Sequence, residues 1–255
     1  MNASSFLTFI FCWVSISAVT GKYCNPIQMS MKKFSFLNHT HNSRNFSYSA
    51  TGHSSCKGYD CFKEYVDKKD SVYEWSDTGH RLHGLDPLHL KSWTGYVLNF
   101  TSQQWLTPED SSRSIWWHYL VIIVPKEVKY PDQSFLWIAS VNAGNMEDDM
   151  PSALQPDILL AGDFAVQAQT PAAVVFHVPN QPIVFPNDPL GENHKRTENA
   201  VLAYTWWHYM FDPEANPEWV IRLPMAKAAV RAMDTVTAYM TSESAPEEIK
   251  GSKKC

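Results

Sequence analysis

The sequence predicts a mixed α/β fold in which antiparallel strands come first and a parallel βαβ unit follows. Three observations carry this expectation. Two aromatic and β-branched runs are joined by a turn-rich segment, two strongly apolar runs come next, and a stretch of helical period separates the second of these from another short apolar run. With 255 residues, 44% of them hydrophobic and ten of them Trp, the chain has material for a sizeable core and is far too rich in core formers to stay disordered.

The first pair is Val72-Tyr73-Glu74-Trp75 and Trp93 to Phe100 (WTGYVLNF), connected through Gly84-Leu85-Asp86-Pro87 and expected to lie antiparallel. Ile115 to Val124 (IWWHYLVIIV) and Phe135 to Val141 (FLWIASV), bounded by Pro125 and Gly144, suit strands buried on both faces. Asp157 to Gln169 then puts Ile158, Ala161, Phe164, Ala165 and Ala168 on one helical stripe, and Ala172 to Val178 returns as a short buried strand. That order is a βαβ unit, with a parallel pair and a right-handed crossover.

Two more helices are expected. Glu198 to Phe211 carries Ala200, Ala203, Trp207 and Met210 on one side, and Met225 to Met240 carries Ala226, Ala229, Met233, Val236 and Met240. Pro224 marks the start of the last helix, while Asp212-Pro213 and Asn216-Pro217 break the segment between the two. Trp116-Trp117 and Trp206-Trp207 sit inside these periodic segments and read as core. Arg196-Thr197-Glu198 reads as a structural helix start with Thr197 as its cap.

The organisation read from the chain is a signal peptide over residues 1–21, an extension over 22–58, a domain over 59–251 and a short charged tail over 252–255. Phe6 to Val19 (FLTFIFCWVSISAV) is a secretory apolar region, too short to span a bilayer comfortably, and it runs into small residues before Lys22. Asn38-His39-Thr40, Asn45-Phe46-Ser47 and Asn99-Phe100-Thr101 are glycosylation acceptors, naming Asn38, Asn45 and Asn99. Once Cys12 leaves with the signal, Cys24, Cys56, Cys61 and Cys255 remain, and four cysteines allow three pairings. Cys56 and Cys61 can close a short turn, with Cys24 and Cys255 either paired or free. These features together predict a secreted, extracellular glycoprotein with no membrane span.

A net charge of −5 provides no basic face for phosphates, so nucleic acid is excluded as a partner. No metal site and no cofactor are expected. His39-Thr40-His41 overlaps a sequon, and His80-Arg81-Leu82-His83 has no neighbouring Cys or carboxylate ligands. His177 is better placed, at the carboxyl end of a predicted parallel strand and before Pro179-Asn180-Gln181-Pro182, where either a ligand-facing or a hydrogen-bonded structural role fits. A strand-to-helix elbow of the form G-x-S-x-G is absent: Gly52-His53-Ser54-Ser55-Cys56 has the wrong fifth residue and precedes the core strands. The loop after the Phe135 strand is built of small residues. Its Val141, Asn142, Ala143 and Gly144 are the candidates for an oxyanion-hole N–H, beside the alternative of an ordinary turn.

Several phrases are more specific. Trp105-Leu106-Thr107-Pro108-Glu109, Trp116-Trp117-His118, Val178-Pro179-Asn180-Gln181-Pro182, Arg196-Thr197-Glu198-Asn199-Ala200, Ala203-Tyr204-Thr205-Trp206 and Arg222 to Asp234 (RLPMAKAAVRAMD) resemble the PhoPQ-activated pathogenicity-related family, which includes autocrine proliferation repressors. The resemblance runs from about Tyr65 to Gly251. It implies the N-terminal half of an α/β-hydrolase-like sheet, incomplete here, because family members continue into a strand and a serine-bearing G-x-S-x-R-G elbow. After Gly251 this sequence reads Ser252-Lys253-Lys254-Cys255, so no nucleophile, acid or histidine carries over. The expectation is therefore a chain without a catalytic residue of its own, with a sheet edge left to pair and an extracellular protein or receptor as its partner. The alternative is a truncated form of a secreted serine hydrolase.

Overall fold

The computed structural model describes Cys56 and residues 58–87, 90–139, 149–211 and 216–250. A five-stranded sheet holds β1 (Glu74–Leu85), β2 (Ser92–Gln104), β3 (Ile115–Pro125), β4 (Phe135–Ile138) and β5 (Ala172–Val175), in the spatial order β1-β2-β3-β5-β4. The pairs β1/β2, β2/β3 and β3/β5 are antiparallel, and β4/β5 is parallel. The crossover between the parallel strands is α2 (Pro156–Ala168). A parallel pair cannot be closed by a tight turn, so the chain needs that helix to return to the starting edge. The mixed α/β class and the βαβ unit are thus as expected, within a sheet that is mostly antiparallel.

Around the sheet lie α1 (Tyr59–Asp67), the small hairpin β6 (Ile183–Val184) and β7 (Lys195–Arg196), α3 (Glu198–Phe211), a 3-10 turn (Pro217–Trp219), α4 (Arg222–Thr241) and α5 (Glu247–Lys250). Strand alternation divides the core into two layers. On one face Leu98, Phe100, Trp116, Leu120 and Ile122 meet Ala228, Ala232, Val236 and Tyr239 of α4 and Val201 and Tyr204 of α3. On the other, Val97, Val121, Ile123 and Val174 meet Ile158, Ala161 and Ala165 of α2. Each fully buried aliphatic side chain of this kind contributes roughly 1.5–3 kcal/mol.

Several sequence expectations change. On α2, Phe164 and Ala168, expected on the inward stripe, are exposed, and the helix buries Ile158, Ala161, Gly162, Ala165 and Val166 instead. β4 was expected to be buried on both faces, but its residues are half-buried and Ile138 is 47% exposed, because β4 lies at the end of the strand order. Trp206-Trp207 is not core: both rings are exposed, and α3 turns Val201, Tyr204, Thr205 and His208 inward instead of Ala200, Ala203, Trp207 and Met210. In α4 the buried stripe is likewise rotated, to Leu223, Lys227, Ala228, Ala232, Thr235, Val236 and Tyr239, and the helix starts two residues before Pro224. Both helices have small or apolar residues on more than one side, so periodicity alone did not select the inward face.

Polar ties hold the outer elements. Lys227, almost fully buried on α4, donates to Asp70 at 3.1 Å and sits over the Tyr65 ring; burial pulls its pKa down while Asp70 pulls it up. Cys56 and Cys61 form a disulfide across the first turn of α1, so the short-turn pairing is the one present. Cys24 and Cys255 lie outside the described residues, as do Asn38 and Asn45.

Candidate functional site

Parallel strands place their carboxyl ends side by side, and in open α/β sheets that is where ligands bind. Here the two ends belong to β4 and β5. Pairing extends one residue past β4, with Ala139 N–H donating to Val175 O at 3.0 Å. The following residues, including Val141, Asn142, Ala143 and Gly144, lie outside the described residues.

The exit from β5 is defined in detail. Phe176 N–H donates to Tyr119 O at 2.9 Å, after which His177 takes a left-handed backbone with φ of 61°. The peptide bonds Val178–Pro179 and Gln181–Pro182 are cis. A left-handed conformation at a non-glycine residue costs about 1–3 kcal/mol and persists only where the surroundings fix it. They do so here: the His177 ring is buried edge-on against Trp117, 4.7 Å between centroids, and against Tyr119 at 5.9 Å. Asn180 Nδ2 donates to Trp117 O at 2.7 Å, while Asn180 Oδ1 is buried with no hydrogen-bond partner among the described residues. An unsatisfied acceptor beside a strained histidine makes this the strongest candidate for a functional site.

Beneath it runs a buried polar chain that sequence reasoning missed. Between Thr101 and Gln103 the β2/β3 register shifts, leaving Ser102 as the extra residue of a bulge. Ser102 Oγ lies 2.8 Å from His118 Nε2, and His118 Nδ1 lies 3.0 Å from Phe176 O. A carbonyl only accepts, so Nδ1 carries the proton, Nε2 accepts, and Ser102 donates. Gln103 continues the chain, donating to Pro224 O at 2.7 Å and accepting from Tyr65 Oη–H at 2.9 Å. A serine donating to a histidine has the look of a nucleophile and its base, but both side chains are fully buried and no substrate reaches them. The network fixes the β5 exit on which His177 stands. The signal in the sequence was a lone histidine among Trp116, Leu120 and Ile122 on one strand face.

Burial holds His118 well below an ordinary histidine, at about 3, against the raising effect of its bond to Phe176 O. The unfolded chain therefore takes up a proton near pH 6.5 that the folded chain refuses until about pH 3, and stability is lost as the pH is lowered across that window. One such proton is worth about 1.4 kcal/mol per pH unit, so lowering the pH from 7 to 5 should remove about 2 kcal/mol through His118. Urea midpoints of the wild type and His118→Gln at the two pH values check this. The variant should be less stable at pH 7 and lose less between the two; equal slopes would contradict it.

Among the described residues no group of three or more His, Cys, Asp and Glu side chains is placed to hold a metal ion, and no helix is long and apolar enough to cross a membrane. A small cavity lined by Leu90, Lys91, Ser92, Pro125 and Glu127 lies at the opposite end of β3 from the His177 site.

Residues 62–250 match the PhoPQ-activated pathogenicity-related protein family. The chain is 30% identical over 176 residues to autocrine proliferation repressor protein A of Dictyostelium discoideum. That alignment covers 69% of this chain and 32% of the relative, so the chain spans about a third of the relative's length. No solved structure matches the chain. The family's span runs from within α1 to α5 and takes in the whole sheet and the β5 exit, and on that extent of agreement the chain belongs to the PhoPQ-activated pathogenicity-related protein family.

Proposed function

We propose that this chain is a secreted glycoprotein acting outside the cell through binding or signalling, on a domain that is the amino-terminal part of an α/β-hydrolase-like sheet. The relationship to a protein named as an autocrine proliferation repressor carries the reading. Three features support it: the apolar segment Phe6 to Val19, the Cys56–Cys61 disulfide, which suits an oxidising compartment, and the exposed sequon asparagine Asn99. The hydrolase-like description is supported by the strand order and by the crossover helix α2. Exposed Ile138 and Phe164 beside the outer edge of β4 are consistent with a further strand or an extracellular partner pairing there.

A second reading, that the chain is part of a secreted serine hydrolase, is favoured by one feature. The loop holding Val141, Asn142, Ala143 and Gly144 follows the carboxyl end of β4, where such enzymes supply an oxyanion N–H. One preparation tests both. Expression in a secretory host should release a glycosylated product beginning near Lys22, and a fluorophosphonate probe should leave that product unlabelled. Retention of the product in the cell contradicts the first reading, and stoichiometric labelling establishes the second.

A further inference from the structure

Among the described residues, the sheet face that α2 covers is only half covered. Val97 lies under α2, and two residues further along the same face of β2 Asn99 is exposed. Thr101, the hydroxyl residue of its sequon, follows on that face. The cross-strand partners of Asn99 and Thr101 on β3 are Tyr119 and Trp117, and those on β1 are the exposed Ser76 and Glu74. Tyr119 and Trp117 are half-buried, their rings meeting edge to face at 5.3 Å. Among the described residues, the acceptor asparagine thus stands beside two aromatic residues on a face whose nearest cross-strand carboxylate is Glu74.

Directly opposed side chains on neighbouring strands have Cβ atoms about 4.5–5.5 Å apart, roughly the width of a pyranose ring. The apolar C–H face of a neutral sugar suits an aromatic surface, because the ring's negative face attracts the polarised C–H edge. We propose that the N-glycan on Asn99 lies down on this face, its first N-acetylglucosamine against Tyr119 and Trp117. Attachment joins Asn99 Nδ2 to the anomeric carbon of a polyprenyl-diphosphate-linked oligosaccharide; the anomeric carbon–oxygen bond breaks, the diphosphate departs, and the amide gives up one proton. Tyr119 also touches His177, so the ordered sugar borders the candidate site. The inference rests on the secreted reading, since the acceptor is modified only in the secretory pathway.

The test uses the full chain from a secretory host. Peptide masses first give the occupancy of Asn38, Asn45 and Asn99. Asn38→Gln/Asn45→Gln protein is then either trimmed to a single sugar at Asn99 or stripped completely. Trimming should leave the melting temperature unchanged, and stripping should lower it by about 2–4 °C. In Tyr119→Thr the two treatments should converge. Isotope-labelled sugar on the wild-type backbone should show ring-current-shifted N-acetylglucosamine protons, a readout independent of whether the variant folds. Occupied Asn99 with no melting difference and unshifted sugar protons overturns the inference. So does an empty Asn99 with glycan on Asn38 or Asn45, which leaves the secreted reading intact. A chain free of glycan at all three positions overturns both.

Discussion

Replacing Arg196 with methionine is expected to cost about 3–5 kcal/mol of stability, the usual consequence of leaving a buried charge without its partner. The Asp188 side chain has no exposure to solvent and that of Arg196 has 10%. The guanidinium forks onto the carboxylate, Nη2 donating to Oδ1 at 2.8 Å and Nε to Oδ2, while its flat face covers the Tyr204 ring at 4.6 Å. Burial pushes the Asp188 pKa up, but the bonds from Arg196 and from Leu190 N–H outweigh it and hold the carboxyl below its ordinary value. Removing the arginine leaves the burial cost and takes away most of the compensation. The pair also joins the loop before β7 to the start of α3, through a longer contact from Nη1 to Ala200 O at 3.4 Å. Denaturant midpoints measure the loss, and Asp188→Leu/Arg196→Met should recover most of it, since paired apolar replacements remove both charges. A loss below about 1 kcal/mol in the single variant would show that the carboxylate is reached by water.

Gly162→Val should have a comparable effect for a steric reason. The Trp93 indole lies between two glycines. A Cβ on Gly162 would come within 2.5 Å of its Nε1 and 2.6 Å of its Cε2, and one on Gly84 within 2.0 Å of its Cζ2. The ring therefore cannot retreat from α2 without meeting β1. Overpacking of this kind costs about 3 kcal/mol at its upper range, and valine's slightly better helix propensity returns only a few tenths. Thermal melts should show the loss, and Trp93→Leu in the same chain should relieve part of it by double-mutant cycle. A variant as stable as wild type would mean that α2 does not press on the sheet at Trp93.

What was legible in the sequence follows from period and composition. IWWHYLVIIV and AAVV could only be inner strands, and their burial is complete along most of their length. The crossover helix was legible because Ile158, Ala161 and Ala165 repeat at helical spacing between two apolar runs. β1 was harder to see: it extends from Glu74 to Leu85, and its segment Ser76 to Gly84 is polar because an edge strand faces water on much of its surface. α1 was missed because its tie to α4 is made by Tyr65 and a buried lysine from across the chain, which form no local pattern. The site shows the same division. His177 could be placed at a strand end from proline and strand signals, but its left-handed backbone and its contact with Trp117 depend on residues sixty positions away. The Ser102–His118 pair depends on a bulge, which no sequence period announces.

The most direct measurement is the intact mass of the product recovered from the medium of a eukaryotic secretory host, before and after glycosidase and with and without reduction. The account predicts a chain beginning near Lys22, heavier than its sequence by glycan that the glycosidase removes, with Cys56 and Cys61 joined until reductant is added. A product found in the cell pellet that begins at Met1, carries no glycan and has free thiols at Cys56 and Cys61 would contradict it.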